Sequence, residues 1–295
     1  MIKILWVDDQ LDIINTFSHT LDPLAAEIEY EIDGERALEA IKKKPYDIAL
    51  IDLAMPPGKW GGLWLLKEIK NLNLNLATIV VSGEGAKYEI IEAHRLGMDD
   101  YVTKEKLDED LINCVKRVLD KTQEKGKIQV IEIIKKGESN EIEFKATLSW
   151  DIDTHARNPE VEFLVMKAIV SFLNTSGGDL LIGVANDRSI VGIEKDRFPN
   201  EDQFQLHFWN KFRDMIGIEY KDYIVETNIV LIDQLKIFQV KCRPSKTPVY
   251  IRWKQQDLFY IRTGPRAEKL NLKKAVKYIQ DFRLSGLVGV NMGVS

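Results

Sequence analysis

Three carboxylates and one ammonium stand at wide intervals in the first third of the chain: Asp8 and Asp9, Asp52, and Lys104, with the Ser82 hydroxyl before the lysine. Each lies at or just past the end of a short apolar run. If those runs are parallel strands of one sheet, their ends open on the same edge and these side chains can meet. Carboxylates brought that close repel one another, and a hard divalent cation with oxygen ligands, usually Mg²⁺, relieves the cost. Such a cation would also offset the charge of an incoming phosphoryl group. Lys104 and Ser82 would then hold the phosphoryl oxygens while Asp52 attacks phosphorus as the nucleophile. A single Asp after a strand is most often a helix cap or turn former. Several such groups at the right strand ends are much harder to explain that way.

The elements that must position them follow from periodicity. Strands are expected at Ile2–Val7, Glu27–Glu31, Asp47–Asp52, Thr78–Ser82 and Asp100–Val102. Helical patterns lie between and after them at Leu11–Leu21, Gly34–Lys43, Gly62–Ile69, Lys87–Leu96 and Asp108–Glu124. This alternation predicts an α/β, doubly wound, five-stranded parallel sheet with right-handed crossovers. The polar run Asp120–Lys127, with Gly126 as a C-cap, is expected to close the last helix. That places the first domain at 1–122 and a linker with a first strand, Ile128–Ile134, within 123–136.

The second half, 137–283, reads as an α+β domain. A strand passes through Ile142–Lys145, and Asn158-Pro159 opens a helix with Val161, Leu164, Val165, Ala168, Ile169 and Phe172 at 3–4-residue spacing. Gly177-Gly178 stops it before the buried strand Leu180–Val184. Strands follow at Ile224–Ile232, Lys236–Val240, Val249–Trp253 and Leu258–Ile261, and a helix at Leu272–Phe282 closes the domain. The tail 284–295 is expected to fray.

Val7-Asp8-Asp9, Asp52-Leu53-Ala54-Met55-Pro56, Val80-Val81-Ser82-Gly83 and Asp100-Tyr101-Val102-Thr103-Lys104 stand in the order and spacing of a response-regulator receiver domain, which residues 1–122 resemble. The resemblance implies a flavodoxin-like fold, Asp52 as phosphoacceptor, and Asp8, Asp9, Asp52 and the Ala54 carbonyl as ligands of Mg²⁺. It implies a sensor histidine kinase as phosphodonor. Tyr101 would be the aromatic that rotates on phosphorylation, coupled to Ser82. Two departures stand out. Glu105 replaces the family's proline after the lysine, and the loop 57–62 looks longer than usual, which could gate access to Asp52.

Glu138-Ser139-Asn140-Glu141-Ile142-Glu143-Phe144-Lys145, Phe172-Leu173-Asn174-Thr175-Ser176-Gly177-Gly178, Leu180–Val184 and Phe259–Gly264 together resemble a Schlafen/AlbA-type nucleic-acid-binding domain. Some such domains are ribonucleases with two glutamates five apart and a later aspartate. Glu138 and Glu143 keep that interval, and Asp187 is the nearby aspartate, although Gly183-Val184-Ala185-Asn186-Asp187 departs from the usual Gly-Val-Asp-Asp. Solvated edge-strand carboxylates are the competing reading. Gly177-Gly178 either stops a helix or admits a phosphate close to the backbone. No Gly-x-x-x-x-Gly-Lys-Ser/Thr loop is present, which argues against a P-loop nucleotidase.

Charge separates the halves. The whole chain carries 41 Lys/Arg against 46 Asp/Glu; residues 1–126 hold 16 against 24, whereas 236–283 hold 13 against 3. Lys241, Arg243, Lys246, Arg252, Lys254, Arg262 and Arg266 are interleaved with Tyr250, Trp253, Phe259 and Tyr260, the mixture that phosphate neutralisation and base stacking need. The aromatics suit a core equally well, and Lys273, Lys274 and Lys277 suit a solvated helix face. DNA or RNA is therefore the expected partner, with protein docking as the alternative, and a homodimer is an assembly open to the chain. The expected chemistry is phosphotransfer and autodephosphorylation at the receiver, with a phosphorylation-controlled, metal-dependent ribonuclease using Glu138, Glu143 and Asp187 as a further alternative. Cys114 and Cys242 fit no metal spacing and argue against a disulfide scaffold. His19, His94, His155 and His207 share no ligand spacing. No signal peptide or membrane-length apolar run is visible, so a cytoplasmic protein with no membrane partner is expected.

Overall fold

A computed structural model describes residues 2–72, 76–83 and 87–288, with side chains as far as Asp281. Two compact units divide between Lys125 and Gly126. In the first, β1 (Lys3–Val7), β2 (Glu27–Glu31), β3 (Ile48–Asp52), β4 (Ala77–Ser82) and β5 (Asp100–Thr103) form one parallel sheet of order β2-β1-β3-β4-β5. Helices α1 (Leu11–Phe17), α2 (Gly34–Lys43), α3 (Gly61–Asn71), α4 (Lys87–Leu96) and α5 (Leu107–Lys136) follow the strands in turn.

The central strands read as unbroken apolar runs because both of their faces are covered. Ile4, Trp6, Ile48 and Leu50 enter one layer of core, while Leu5, Val7, Ala49 and Ile51 enter the other. The expected helix Leu11–Leu21 divides instead into α1 and a 3₁₀ segment, Ser18–Leu24, that contains Pro23. Proline has no N–H to continue an α-helical ladder.

The largest departure lies at the expected linker. No strand forms at Ile128–Ile134; α5 runs for 30 residues, through Gly126, to Lys136. Read as a strand, that stretch alternates only loosely. Read as a helix, Val130, Ile133 and Ile134 fall on one face, and all three are buried in the core of the second unit. A Cβ placed on Gly126 would meet nothing within 4 Å, and this glycine ends no helix.

The second unit is built on a four-stranded sheet of order β10-β11-β9-β6, from β6 (Ile142–Lys145), β9 (Gly178–Ile182), β10 (Ile224–Ile232) and β11 (Leu235–Cys242). β6 and β9 pair parallel, and the other neighbours pair antiparallel. A short hairpin, β7 (Trp150–Asp151) with β8 (Ala156–Arg157), precedes α6 (Pro159–Leu173), which Asn158 caps by accepting from the Glu160 N–H at 2.9 Å. Helix α7 (Glu201–Met215) buries Phe204, Phe208 and Phe212 against Phe238 of β11. A three-stranded sheet, β12 (Ile251–Trp253), β13 (Gln256–Thr263) and β14 (Arg266–Leu270), and helix α8 (Leu272–Val288) complete the unit. Residues 284–288, expected to fray, continue α8; 289–295 lie outside the described residues.

Candidate functional site

In the first unit the strand ends do converge. Asp8, one residue past β1, and Asp52, the last residue of β3, are both buried; Asp9 is exposed beside them. Ligand oxygens of Asp8, Asp9 and Asp52 all lie within 4.8 Å of one another. The Lys104 ammonium sits 2.9 Å from Asp8 Oδ2 and 3.2 Å from Asp52 Oδ2. Those two oxygens are buried, and apart from Lys104 no hydrogen-bond partner reaches them among the described residues. Asp8 Oδ1 accepts from the Gln10 N–H at 2.9 Å.

Two negative groups thus share one positive group in a dry place. Burial is the main cause that raises the Asp52 pKa; Lys104 lowers it and the Asp8 charge raises it further. For Lys104, burial works against the ammonium, but the hydrogen bond to Asp8 and the charges of Asp52 and Asp8 outweigh it, and its pKa rises. Bare, buried, oxygen-only donors with one carboxylate open to solvent suit a hard divalent cation. The residues fit Mg²⁺.

The backbone around Asp52 is shaped by two glycines, Gly61 and Gly62, where the 57–62 loop meets the helix. A Cβ on Gly62 would lie 2.1 Å from the Asp52 carbonyl oxygen, and one on Gly61 would lie 2.2 Å from that of Pro56. The Gly61 N–H donates to the Met55 carbonyl at 2.7 Å. The start of α3 is therefore pressed onto the segment after Asp52, and the 57–62 loop is anchored at its far end. A Gly-Gly pair opening a helix beside an acceptor loop was the signal available. Ala54 is exposed, two residues past Asp52. Ser82 is buried at the end of β4, its hydroxyl 3.4 Å from the Gly83 carbonyl. Tyr101 is 48% exposed on β5, and Glu105 lies in the 3₁₀ turn Lys104–Lys106.

Comparison with known proteins agrees with this geometry. Residues 4–116 match the family described as response regulator receiver domain, and residues 138–271 match the family described as Schlafen, AlbA_2. The chain joins a receiver domain to a Schlafen/AlbA_2 domain. Curated relatives of the receiver domain include the transcriptional regulatory protein CiaR of Streptococcus pneumoniae, 32% identical over 35% of this chain and 45% of the relative. The alkaline phosphatase synthesis transcriptional regulatory protein PhoP of Bacillus subtilis is 26% identical over 35% of this chain and 42% of its own length. The chain thus spans less than half the length of these relatives. Among solved structures, a CheY-like receiver domain protein from Methanospirillum hungatei covers 42% of this chain and 98% of its own, at 25% identity and a TM-score of 0.40.

The Schlafen/AlbA_2 domain corrects several expectations. Glu138, Glu143 and Asp187 are not gathered into one cluster of ligand atoms. Among the described residues, Asp8, Asp9 and Asp52 are the one group of three or more His, Cys, Asp or Glu side chains placed to hold an ion. Glu138 accepts from the Phe144 N–H at 3.1 Å, and Asp187 is occupied by the N–H and hydroxyl of Ser189 in its own turn. Glu143 is no solvated edge carboxylate either: it is paired with Lys145 and with Arg262.

Arg262 was expected to face nucleic acid and does not. Its side chain is 1% exposed, and its guanidinium is 2.5 Å from Glu143. It also donates to the carbonyls of Ser139 (2.7 and 3.0 Å) and Ile142 (2.7 Å), and lies 4.7 Å over the Phe172 ring. A planar five-donor fork suits this role, which closes the outer side of β6. Phe259 and Tyr260 are core residues, Trp253 is stacked on Phe163 at 4.7 Å, and Tyr250 alone of the four aromatics is exposed. Arg252 is paired with Asp257 and Lys254 with Glu160. Arg243, Lys246 and Arg266 are exposed and make no ion pair among the described residues; Lys241 is half-buried.

The close approach at Gly177-Gly178 is made by the chain itself rather than by a phosphate. Gly177 has φ +82°, and its Cβ would lie 2.4 Å from the Cys242 carbonyl oxygen; one on Gly178 would lie 2.5 Å from that of Glu141. The buried Asn174 just before them belongs to the motif that carries the resemblance, but the sequence alone assigns it no role. Its amide donates to the Val249 and Tyr260 carbonyls (2.8 and 2.9 Å) and accepts from the Val249 N–H (2.9 Å). Asp196, fully buried, accepts from the N–H groups of Leu148, Ser149 and Trp150 and from the Ser149 hydroxyl. Its isolated position in the sequence gave no signal.

Proposed function

We propose that the protein is a two-component response regulator of the cytoplasm, phosphorylated on Asp52 by a partner sensor histidine kinase. The observation that carries this reading is the pair of buried carboxylate oxygens, on Asp8 and Asp52, that share the single Lys104 ammonium. Asp8, Asp9, Asp52 and the Ala54 carbonyl would hold Mg²⁺, which supplies charge neutralisation for the transferred group. One Asp52 carboxylate oxygen forms the new bond to phosphorus as the bond from phosphorus to the donor's histidine nitrogen breaks, leaving an acyl phosphate. Lys104 then pairs with the phosphoryl oxygens, and the Ser82 hydroxyl, at the end of the neighbouring strand, donates to one of them. Tyr101, exposed on β5, reports the change by moving toward Ser82.

The Schlafen/AlbA_2 domain is the output, and we assign it nucleic-acid binding through the unpaired cations Arg243, Lys246 and Arg266, with Lys241 beside them. Exposed cations free of carboxylate partners are those that release counterions on meeting a phosphate backbone.

Acetyl phosphate with Mg²⁺ should add one phosphoryl group by intact mass, and Asp52→Asn should remove it. An adduct that persists in Asp52→Asn overturns the acceptor assignment. Binding of the full chain to a single-stranded or duplex oligonucleotide should weaken steeply with salt, and indifference to salt counts against the nucleic-acid output.

A further inference from the structure

The four-stranded sheet of the Schlafen/AlbA_2 domain has two edges of different construction. At one, β6 is four residues long, and the Arg262 guanidinium donates to the Ser139 and Ile142 carbonyls on its outer side. At the other stands β10, nine residues long, and among the described residues no strand pairs with its far side. The direction of its free backbone groups follows from the turn. Only Asp233 and Gln234 join β10 to β11, both at positive φ (+48° and +72°), as a tight two-residue hairpin requires. The pair flanking such a turn, Ile232 and Leu235, exchanges both backbone hydrogen bonds, and antiparallel pairs alternate from there. The N–H and C=O groups of Leu231, Ile229 and Thr227 therefore point out of the sheet edge. Lys236, opposite Leu231, agrees: its N–H turns away from β10 and donates to Glu194 at 3.2 Å.

Edge strands ordinarily carry something that repels a second strand. In the receiver sheet, edge strand β2 places Glu27, Glu29 and Glu31 within five residues. In the three-stranded sheet, edge strand β14 carries Arg266, Glu268 and Lys269. The stretch 226–232 of β10 holds no lysine, arginine or proline, and its one charge, Glu226, stands at the end. A bulge between Ile224 and Glu226 ends the regular ladder there. Thr227, Ile229 and Leu231 share one face, and Leu231 is 58% exposed.

We propose that the chain forms a two-fold homodimer through β10, which joins two four-stranded sheets into one. The regular stretch is centred on Ile229. Antiparallel about an axis there, Ile229 faces Ile229 of the second copy, and Thr227 faces Leu231 of the second copy. The outward groups of these three positions then make about six hydrogen bonds across the axis. Apolar side chains meet apolar or neutral ones, and the two Glu226 carboxylates are held at opposite ends of the ladder. Because Arg262 closes β6, each sheet offers one open edge, so pairing stops at two copies and builds no filament. The interface stands independently of the roles given to Asp52 and to Arg243, Lys246 and Arg266.

Sedimentation equilibrium of the full chain across a range of concentrations tests it. The expected result is a monomer–dimer equilibrium that Leu231→Lys weakens about tenfold, because the change sets an ammonium against the second strand twice per dimer. Mild oxidation of Ile229→Cys should yield a disulfide-linked dimer on a non-reducing gel. Hydrogen-bonded antiparallel pairs hold their Cα atoms about 5.5 Å apart, within reach of a disulfide. The native Cys114 and Cys242 are buried and do not compete, and Leu272→Cys, 81% exposed at the start of α8, is the control for chance collisions. A chain that stays monomeric up to roughly 100 μM overturns the interface and leaves β10 to a different partner. A dimer of unchanged affinity in Leu231→Lys, or no more cross-linking in Ile229→Cys than in Leu272→Cys, overturns it as well. If a thermal melt shows that Leu231→Lys does not fold, the cross-link alone decides.

Discussion

The chain contains two centres where carboxylates meet buried or half-buried cations, and they are built in opposite senses. In the receiver domain two carboxylates, Asp8 and Asp52, share one ammonium, and among the described residues no other hydrogen-bond partner reaches the two buried oxygens beside it. In the Schlafen/AlbA_2 domain one carboxylate, Glu143, is shared by two cations, and the guanidinium of Arg262 also finds backbone carbonyls. The first is left electrostatically incomplete and suits a cation and a phosphoryl group. The second is closed: Glu143 is paired twice, and Arg262 spends its remaining donors on backbone carbonyls. Residue types alone cannot distinguish these cases; what separates them is which polar atoms are left unsatisfied after folding.

That contrast predicts mutations of opposite sign. Arg262→Ala should be the most damaging, because it leaves Glu143 and two carbonyls short of donors in a buried place. We expect a loss of about 3–5 kcal/mol in unfolding of the second unit, measured by urea titration. A loss below about 1 kcal/mol would mean that the ion pair is not closed in the sense described. Next in size, Mg²⁺ at a hundredfold excess over its dissociation constant should stabilise the receiver domain by about 2.7 kcal/mol. Asp9→Ala should abolish that gain in a thermal melt.

Asp52→Asn should go the other way and stabilise the receiver domain in the absence of metal, by about 1 kcal/mol or roughly 4 °C in melting midpoint. Burial raises the Asp52 pKa above its ordinary value. The folded state therefore holds that proton more tightly than the unfolded state. The resulting stability is present below the ordinary carboxylate pKa and is lost as pH rises through the raised one. The difference between wild type and Asp52→Asn should accordingly open as pH increases across that window, and a difference independent of pH would contradict the assignment. The smallest effect belongs to the exposed pair Lys254–Glu160, whose side chains are 70% and 54% accessible. Its double-mutant coupling should be about 0.5 kcal/mol or less.

The receiver pocket was legible in the sequence because its chemistry sits at strand ends, and strand ends are marked by the switch from apolar runs to Asp8, Asp52 and Lys104. The alternation of strands and helices was legible for the same reason. The junction was not. A polar run with a glycine imitates a helix stop, and Ile128, Val130, Ile133 and Ile134 are apolar at spacings that partly suit a strand. Only the burial of Val130, Ile133 and Ile134 in one cluster, with Ile128 half exposed, settles the period as helical. Helix α7 could have been found from Asn200 as cap and Phe204, Phe208 and Phe212 at four-residue spacing. Arg262 could not. An arginine on a strand looks the same in sequence whether it meets a phosphate or Glu143, and the partner lies 119 residues away.

Asn174 sets a timetable for the chain as it leaves the ribosome. Each strand of the receiver sheet pairs with strands no more than two places away in chain order, and its core is complete by Leu119. The amide of Asn174, by contrast, must wait for Val249 and Tyr260, 75 and 86 residues further on. At a synthesis rate of about 5–20 residues per second that wait is roughly 4–17 s for the second partner. Until then the end of α6, with Phe172 and Leu173 beside it, has neither its polar partners nor the strands that cover it. The Schlafen/AlbA_2 domain is thus the half of the protein whose nascent form stays longest unprotected, and the half for which a chaperone would matter most during synthesis.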